Sequence, residues 1–187
     1  MKIIGFIASP RKEGNTAWVV NKILEGAKEK GAETQVWSTC ELDIKPCQGC
    51  LSCTKLDRCA INDDMQKIYD VLEQSDALVL GSPVYMGQMS AQAKIFTDRL
   101  FAQIVPRFSP RYKEGKSGKK LILVFTQGNP DPGMFQVYYD YTKKMFQLLE
   151  FNVEEVIVIP GLRSELAHER KELHTDMKRI GSSLVSD

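Results

Sequence analysis

The 187 residues suffice for one domain that would bury roughly 70% of the surface its unfolded chain exposes. Apolar residues make up 43%, charged residues 26% and the net charge is +1, a balance that excludes both disorder and a broad field for nucleic acid or an anionic membrane. No run approaches the ~20 apolar residues of a membrane span, and the first residues enter a strand instead of a signal peptide, so the expected compartment is the cytoplasm, where the five cysteines read as ligands or reactive thiols instead of disulfides.

In chain order, short apolar runs alternate with amphipathic segments, the pattern of a parallel sheet covered by helices on both faces. Strands are expected at residues 2–8, 33–37, 77–81, 120–126 and 152–159, and helices at 16–30, 63–74, 91–100, 133–149 and 164–184. Each helix follows a strand, so right-handed crossovers connect them, and a five-stranded sheet in the order 2-1-3-4-5 places the switch point between strands one and three. Nothing divides residues 1–187 into separate domains. Two connections exceed ordinary α/β loops: residues 38–62, which hold every cysteine, and residues 102–119, which are basic and rich in Gly and Pro.

The first strand runs into Ser9-Pro10-Arg11-Lys12-Glu13-Gly14-Asn15-Thr16, where a helix starts. A phosphate would find there unpaired backbone N–H groups, a partial positive charge, the side chains of Ser9, Asn15 and Thr16, and the close approach that Gly14 permits. Arg11 adds charge. The competing reading is that Asn15 or Thr16 only caps the helix. With neither a Walker lysine pattern nor a G-x-G-x-x-G fingerprint, a mononucleotide phosphate is favoured over ATP or a classical dinucleotide.

The third strand leads into Ser82-Pro83-Val84-Tyr85-Met86-Gly87, with a stiff proline, apolar faces on Tyr85 and Met86, and a glycine that relieves crowding. Such a loop suits a flat ring, or is an ordinary turn whose tyrosine packs on the domain. The loop after strand four, Thr126-Gln127-Gly128, opens at the same edge. Together these motifs resemble the NADPH-dependent FMN reductase branch of the flavodoxin-like superfamily, over nearly the whole chain. The resemblance implies a three-layer α/β sandwich of flavodoxin-like type. Ser9, Arg11, Asn15 and Thr16 would hold the FMN phosphate; Pro83, Val84, Tyr85, Met86 and Gly87 would line the isoalloxazine; and Thr126, Gln127 and Gly128 would complete the site.

Cys47, Cys50, Cys53 and Cys59 follow C-x2-C-x2-C-x5-C. Three thiolates at intervals of three can wrap one corner of a cubane and the fourth can close the shell, so a 4Fe-4S cluster is the leading reading; structural zinc and metal-free thiols are the others. Cys40 falls outside the spacing and reads as a buried or spare thiol. This motif on an FMN fold resembles the iron-sulfur flavoprotein family of anaerobic archaea and bacteria. That family implies one FMN and one cluster per subunit, a homo-oligomer such as a dimer or tetramer, and electron traffic from ferredoxin or NAD(P)H to oxygen, peroxide or a quinone. Two other functions stay open: a cluster-free NAD(P)H-dependent FMN or quinone reductase, and a non-enzymatic flavodoxin-like carrier with structural zinc.

Other features carry less. His168 and His174, the only histidines, are six apart and do not share a helical face, so both read as surface residues and a hydrolytic triad has no support. Phe135, Tyr138, Tyr139, Met145, Phe146 and Leu149 read as core or subunit interface. Arg107, Arg111, Lys113, Lys116, Lys119 and Lys120 read as a solvated basic loop, with guidance of an acidic ferredoxin or of an NADPH phosphate as the sharper alternative.

Overall fold

The computed structural model describes residues 1–56, 58–104 and 118–185. Its elements are β1 (Lys2–Ile7), α1 (Asn15–Glu29), β2 (Glu33–Ser38), α2 (Met65–Gln74), β3 (Ala77–Tyr85), β4 (Gln88–Met89), α3 (Ala91–Arg99), α4 (Phe101–Ile104), β5 (Lys119–Thr126), α5 (Gln136–Leu148), β6 (Phe151–Ile159) and α6 (Lys171–Val185). Short 3-10 turns lie at Ser52–Thr54 and Ala167–Glu169.

The central strands are apolar at nearly every position because both of their faces are covered. Side chains alternate sides along a strand. Ile3 and Ile7, Ala77 and Val79, and Ile122 and Val124 therefore meet α1 and α6. Ile4 and Phe6, Leu78 and Leu80, and Leu121, Leu123 and Phe125 meet α2, α3 and α5. On that second face Phe6 stacks on Phe96, with ring centroids 3.9 Å apart. No helix among the described residues is long and apolar enough to cross a membrane.

The parallel path is β2-β1-β3-β5-β6, the expected 2-1-3-4-5 order once the parallel strands alone are counted. The sheet nevertheless has six strands, because the two-residue β4 turns back and pairs antiparallel with the end of β3. Strand β3 continues four residues past Gly81, where the expected strand ended, and takes in Pro83. β1 ends beside Gly81, so at Ser82 and Pro83 β3 pairs only with β5 and has a free side where Pro83 is tolerated, before Val84 and Tyr85 pair with β4. The last helix starts at Lys171, not at residue 164. Residues 160–170 instead form a loop in which the Arg170 guanidinium donates to the carbonyls of Pro160 (2.8 Å) and Glu165 (3.1 Å).

Two of the residues assigned to a basic loop belong to β5. Lys119 donates to the Ser75 carbonyl, and Lys120 reaches the Leu184 carbonyl at 3.2 Å. Arg107, Arg111, Lys113 and Lys116 lie outside the described residues.

Candidate functional site

The sheet register brings three loops to one edge. Ile7 lies opposite Gly81, and Pro83 opposite Thr126, so the chain leaves β1, β3 and β5 side by side. The first turn of α1 sits above them. Gly14, in extended conformation, precedes the helix and no side chain caps it. Trp18 is the first residue whose N–H closes a turn, onto the Gly14 carbonyl at 3.0 Å, which leaves the amides of Asn15, Thr16 and Ala17 facing outward as donors. An uncapped, part-buried helix start is a cradle of the kind that suits a phosphate.

The expected phosphate residues divide into two groups. Arg11 is exposed, and only its backbone N–H is engaged, donating to Ser9 Oγ at 3.1 Å. Ser9 is buried, and its hydroxyl oxygen is the acceptor of that bond. Thr16 and Asn15 are already committed: Thr16 Oγ1 bonds Thr126 Oγ1 at 2.6 Å, and Asn15 Oδ1 accepts from the Ala167 amide at 2.8 Å. These two fasten the phosphate loop to the loops after β5 and β6. Cys40 is exposed rather than buried, and its thiol donates to the Ser9 carbonyl at 3.2 Å beside Thr39, which does the same.

The segment expected to be an open ring-binding loop is a tight hairpin. Met86 (φ 50°) and Gly87 (φ 79°) are both left-handed, the signature of a two-residue primed turn, and they carry Tyr85 and Met86 out into solvent. Met86 is 100% exposed, which leaves its thioether and the Tyr85 ring free as an apolar lip. Ser82 and Pro83 lie beneath, buried. The Ser82 hydroxyl accepts from the Ser90 amide at 2.9 Å and donates to the Pro83 carbonyl, while Ser90 Oγ donates to the Ala8 carbonyl at 2.6 Å and caps α3 through the Ala93 amide. Ser82 is thus a brace of the crevice floor. Val84 is half-buried under the same hairpin.

Gln127 is a brace as well. Its amide nitrogen donates to the carbonyls of Asn129 (3.1 Å) and Asp131 (2.7 Å), and its oxygen accepts from the Tyr139 hydroxyl. Burial pushes the Tyr139 phenol up to about 12, so it remains a donor throughout the physiological range. Gly128 is the open part of this loop. A Cβ there would fall 2.7 Å from Arg163 Nε, so the glycine makes room for an arginine at the rim that the sequence reading passed over.

The cysteine loop leaves β2 at the same edge. Cys47 and Cys50 are exposed, Cys53 and Cys59 half-buried. Burial pushes the Cys53 thiol up, and the proximity of Cys59, Cys47 and Cys50 adds to this. Hydrogen bonds from the Ser52 side chain and amide lower Cys50. The donor set fits a thiolate-ligated centre in type and order, but among the described residues no three His, Cys, Asp or Glu side chains form a group that could hold one metal ion.

The histidines also differ from expectation in one respect. His168 is exposed, but His174 packs edge-on against Trp18 at 4.7 Å. On α5, Tyr139 and Phe146 are core, and Val137, Tyr141 and Leu148 are exposed.

Comparison with known proteins agrees with this geometry. Residues 1–153 match the family model of the NADPH-dependent FMN reductases. An iron-sulfur flavoprotein of Methanocaldococcus jannaschii is 42% identical over 99 residues, 53% of this chain and 51% of that protein, and one of Methanosarcina thermophila is 40% identical over 99 residues, 53% and 52% of the two chains. The matched stretch thus spans about half the length of these curated relatives. Among solved structures, the NAD(P)H:quinone oxidoreductase from Methanothermobacter marburgensis superposes with a TM-score of 0.73 at 15% identity, over 98% of this chain and 96% of that one. An FMN-dependent NADH-azoreductase from Bacillus anthracis, in complex with FMN, gives 0.67 at 15% identity, over 98% and 99%. The fold is flavodoxin-like, and the chain belongs to the NADPH-dependent FMN reductase family, with iron-sulfur flavoproteins as its sequence relatives.

Proposed function

We propose that this chain is a single-domain, FMN-dependent oxidoreductase that transfers electrons between a donor such as ferredoxin or NAD(P)H and an acceptor such as oxygen, peroxide or a quinone. The observation that carries the proposal is the uncapped start of α1 at the switch point, bordered by the β3 hairpin and the β5 loop. There the amides of residues 15–17, Ser9 and Arg11 bind the phosphate, and Tyr85, Met86 and the backbone of 83–87 hold the ring. Thr16, Thr126, Ser82 and Gln127 act one step removed, by fixing these loops to one another. FMN, when bound, supplies reversible acceptance of one or two electrons. The loop contributes no histidine or acidic pair, which accords with chemistry located on the flavin.

Cys47, Cys50, Cys53 and Cys59 are proposed as ligands of a 4Fe-4S centre, on the support of their spacing and of the relatives' names. The second reading is a cluster-free NAD(P)H-dependent FMN or quinone reductase, and a non-enzymatic carrier with structural zinc is the third. A homo-oligomer and a cytoplasmic setting complete the proposal.

One preparation separates these readings: protein made anaerobically, its visible spectrum recorded, and FMN, iron, acid-labile sulfide and zinc counted per chain. One FMN with four irons and four sulfides is the expected result. FMN alone supports the second reading, zinc without sulfide the third, and failure of reconstituted protein to bind FMN rejects all three. Reduction by ferredoxin compared with reduction by NAD(P)H then identifies the donor.

A further inference from the structure

Both ends of the cysteine loop converge on one buried ion pair. Arg99, the last residue of α3, and Asp63, just before α2, have side chains with 0% exposure each. The guanidinium grips the carboxylate with two nitrogens, Nη1 to Oδ2 at 2.6 Å and Nη2 to Oδ1 at 3.0 Å. Nη1 also donates to the Lys45 carbonyl at 2.8 Å, and the Lys45 amide donates to Asp63 Oδ2 at 2.9 Å. Lys45 stands two residues before Cys47, and Asp63 four residues after Cys59. The pair therefore ties the chain entering the motif to the chain leaving it. Nearby, the Gln66 amide donates to the carbonyls of Cys59 (2.9 Å) and Ile61 (2.7 Å), and the Tyr69 hydroxyl donates to the Arg99 carbonyl at 2.7 Å.

Burying two charges is a poor route to stability alone, since apolar residues of similar volume usually serve as well or better. Here Arg99 Nε is also left without a partner among the described residues, a further cost. What the pair supplies and apolar packing would not is directional bonding to Lys45 on one chain and Asp63 on the other. The far end of α3 begins at Ser90, which is bonded to Ala8 and Ser82 in the crevice floor. The helix thus carries the loop's anchor and the crevice floor on one rigid rod.

We propose that Arg99 and Asp63 are positioning residues: their pair sets the separation of Cys47 from Cys59 and seats the cysteine loop on α3, whether or not a metal is bound. Only the metal readout below rests on the proposed function.

The test uses the full chain as wild type, Arg99→Lys, Asp63→Asn and the double variant Arg99→Met with Asp63→Leu, which keeps volume and apolar packing but removes every bond to Lys45. Alkylation of each cysteine in metal-free protein, timed by mass spectrometry, reports loop position; iron retained after reconstitution reports ligand placement; thermal melting checks the fold. In wild type, Cys59 is expected to react more slowly than Cys47 and Cys50. In the folded double variant its rate should rise at least roughly tenfold, as follows from losing the local stability of one charged hydrogen bond, with Arg99→Lys in between. A folded double variant with the wild-type alkylation pattern overturns the proposal. Should that variant not fold, unchanged Cys59 rates in both single variants overturn it, and raised rates sustain it. Wild type that takes up no iron counts against the cluster and leaves the alkylation result to decide the clamp; iron held equally by wild type and a folded double variant counts against the clamp.

Discussion

The crevice and the cysteine loop leave the same edge of the sheet but are held in different ways. Each crevice loop is a short extension of a paired strand, and its buried side chains are spent on fixing these loops: Thr16 on Thr126, Ser90 on Ala8, and Gln127 on Asn129 and Asp131 of its own loop. The cysteine loop, by contrast, has one 3-10 turn and exposed or half-buried thiols, and is fixed at its ends by Asp63, Arg99 and Gln66. A ligand arriving at the crevice meets donors already in place. A metal arriving at the thiols meets a loop held chiefly at its ends, and part of its binding energy would go to ordering the stretch between them.

Breaking the clamp is the largest perturbation available. Asp63→Ala leaves Arg99 charged, buried and unpaired, and such losses cost about 3–5 kcal/mol. Urea unfolding should register that drop; a change under about 1 kcal/mol would mean that water reaches the guanidinium. The corresponding break on the crevice side is Gly181→Ala. A Cβ on Gly181 would lie 1.7 Å from the Ile23 carbonyl oxygen, so α6 must move away from α1, the helix whose start forms the phosphate cradle. Overpacking of this kind costs about 1–3 kcal/mol. The FMN dissociation constant should rise with it while cysteine alkylation stays at wild-type rates, and the reverse pattern would contradict the separation of the two regions.

This contrast also marks what could be read from sequence. Apolar runs at residues 77–81 and 120–126 announced buried strands, and the switch-point rule put the loops after strands one and three together. The C-x2-C-x2-C-x5-C run named its own candidates. Arg99 gave no signal: next to Asp98, which pairs with Lys94 on the exposed surface, it has the look of any charged helix end, and its mate lies 36 positions away. That Ser82 and Gln127 also brace the loops was not legible, because a hydroxyl or amide near a crevice has the same appearance in sequence whether or not it bonds the backbone beside it. The extension of β3 through Pro83 depends on where a neighbouring strand stops, which no local pattern contains.

A smaller change isolates ligand contact from scaffold. Arg11 is exposed and its side chain braces nothing among the described residues, so Arg11→Ala should leave the melting temperature unchanged. Its loss should raise the FMN dissociation constant roughly tenfold, the scale of one charge-assisted hydrogen bond, and leave riboflavin binding as it was. Equal weakening of both flavins would move Arg11 from the phosphate to the ring.

The smallest expected effect separates buried from exposed charge. On the crevice side, α1 and α6 are joined by Glu25, whose carboxylate lies 2.6 Å from Lys178 and 2.6 Å from Lys22; hydrogen bonds from these two lysines hold it at about 2. A carboxyl lowered in the fold adds stability that is complete above its ordinary value of 4.5 and is lost as pH falls from there toward 2. Glu25→Gln should therefore melt slightly below wild type at pH 7, with the gap closing through that window. Because these side chains are 41%, 33% and 24% exposed, solvent screens them, and 1 M salt should erase most of the gap at pH 7. Asp63, also held below its ordinary value by Arg99 against the opposing pull of burial, is out of reach of that screening, so the Asp63→Ala deficit should persist in the same salt. If salt instead shrank both deficits alike, the clamp would be no drier than the helix surface, and the hold on the loop ends would have to come from Gln66 and from the Asp64 carboxylate on the Asp43 amide.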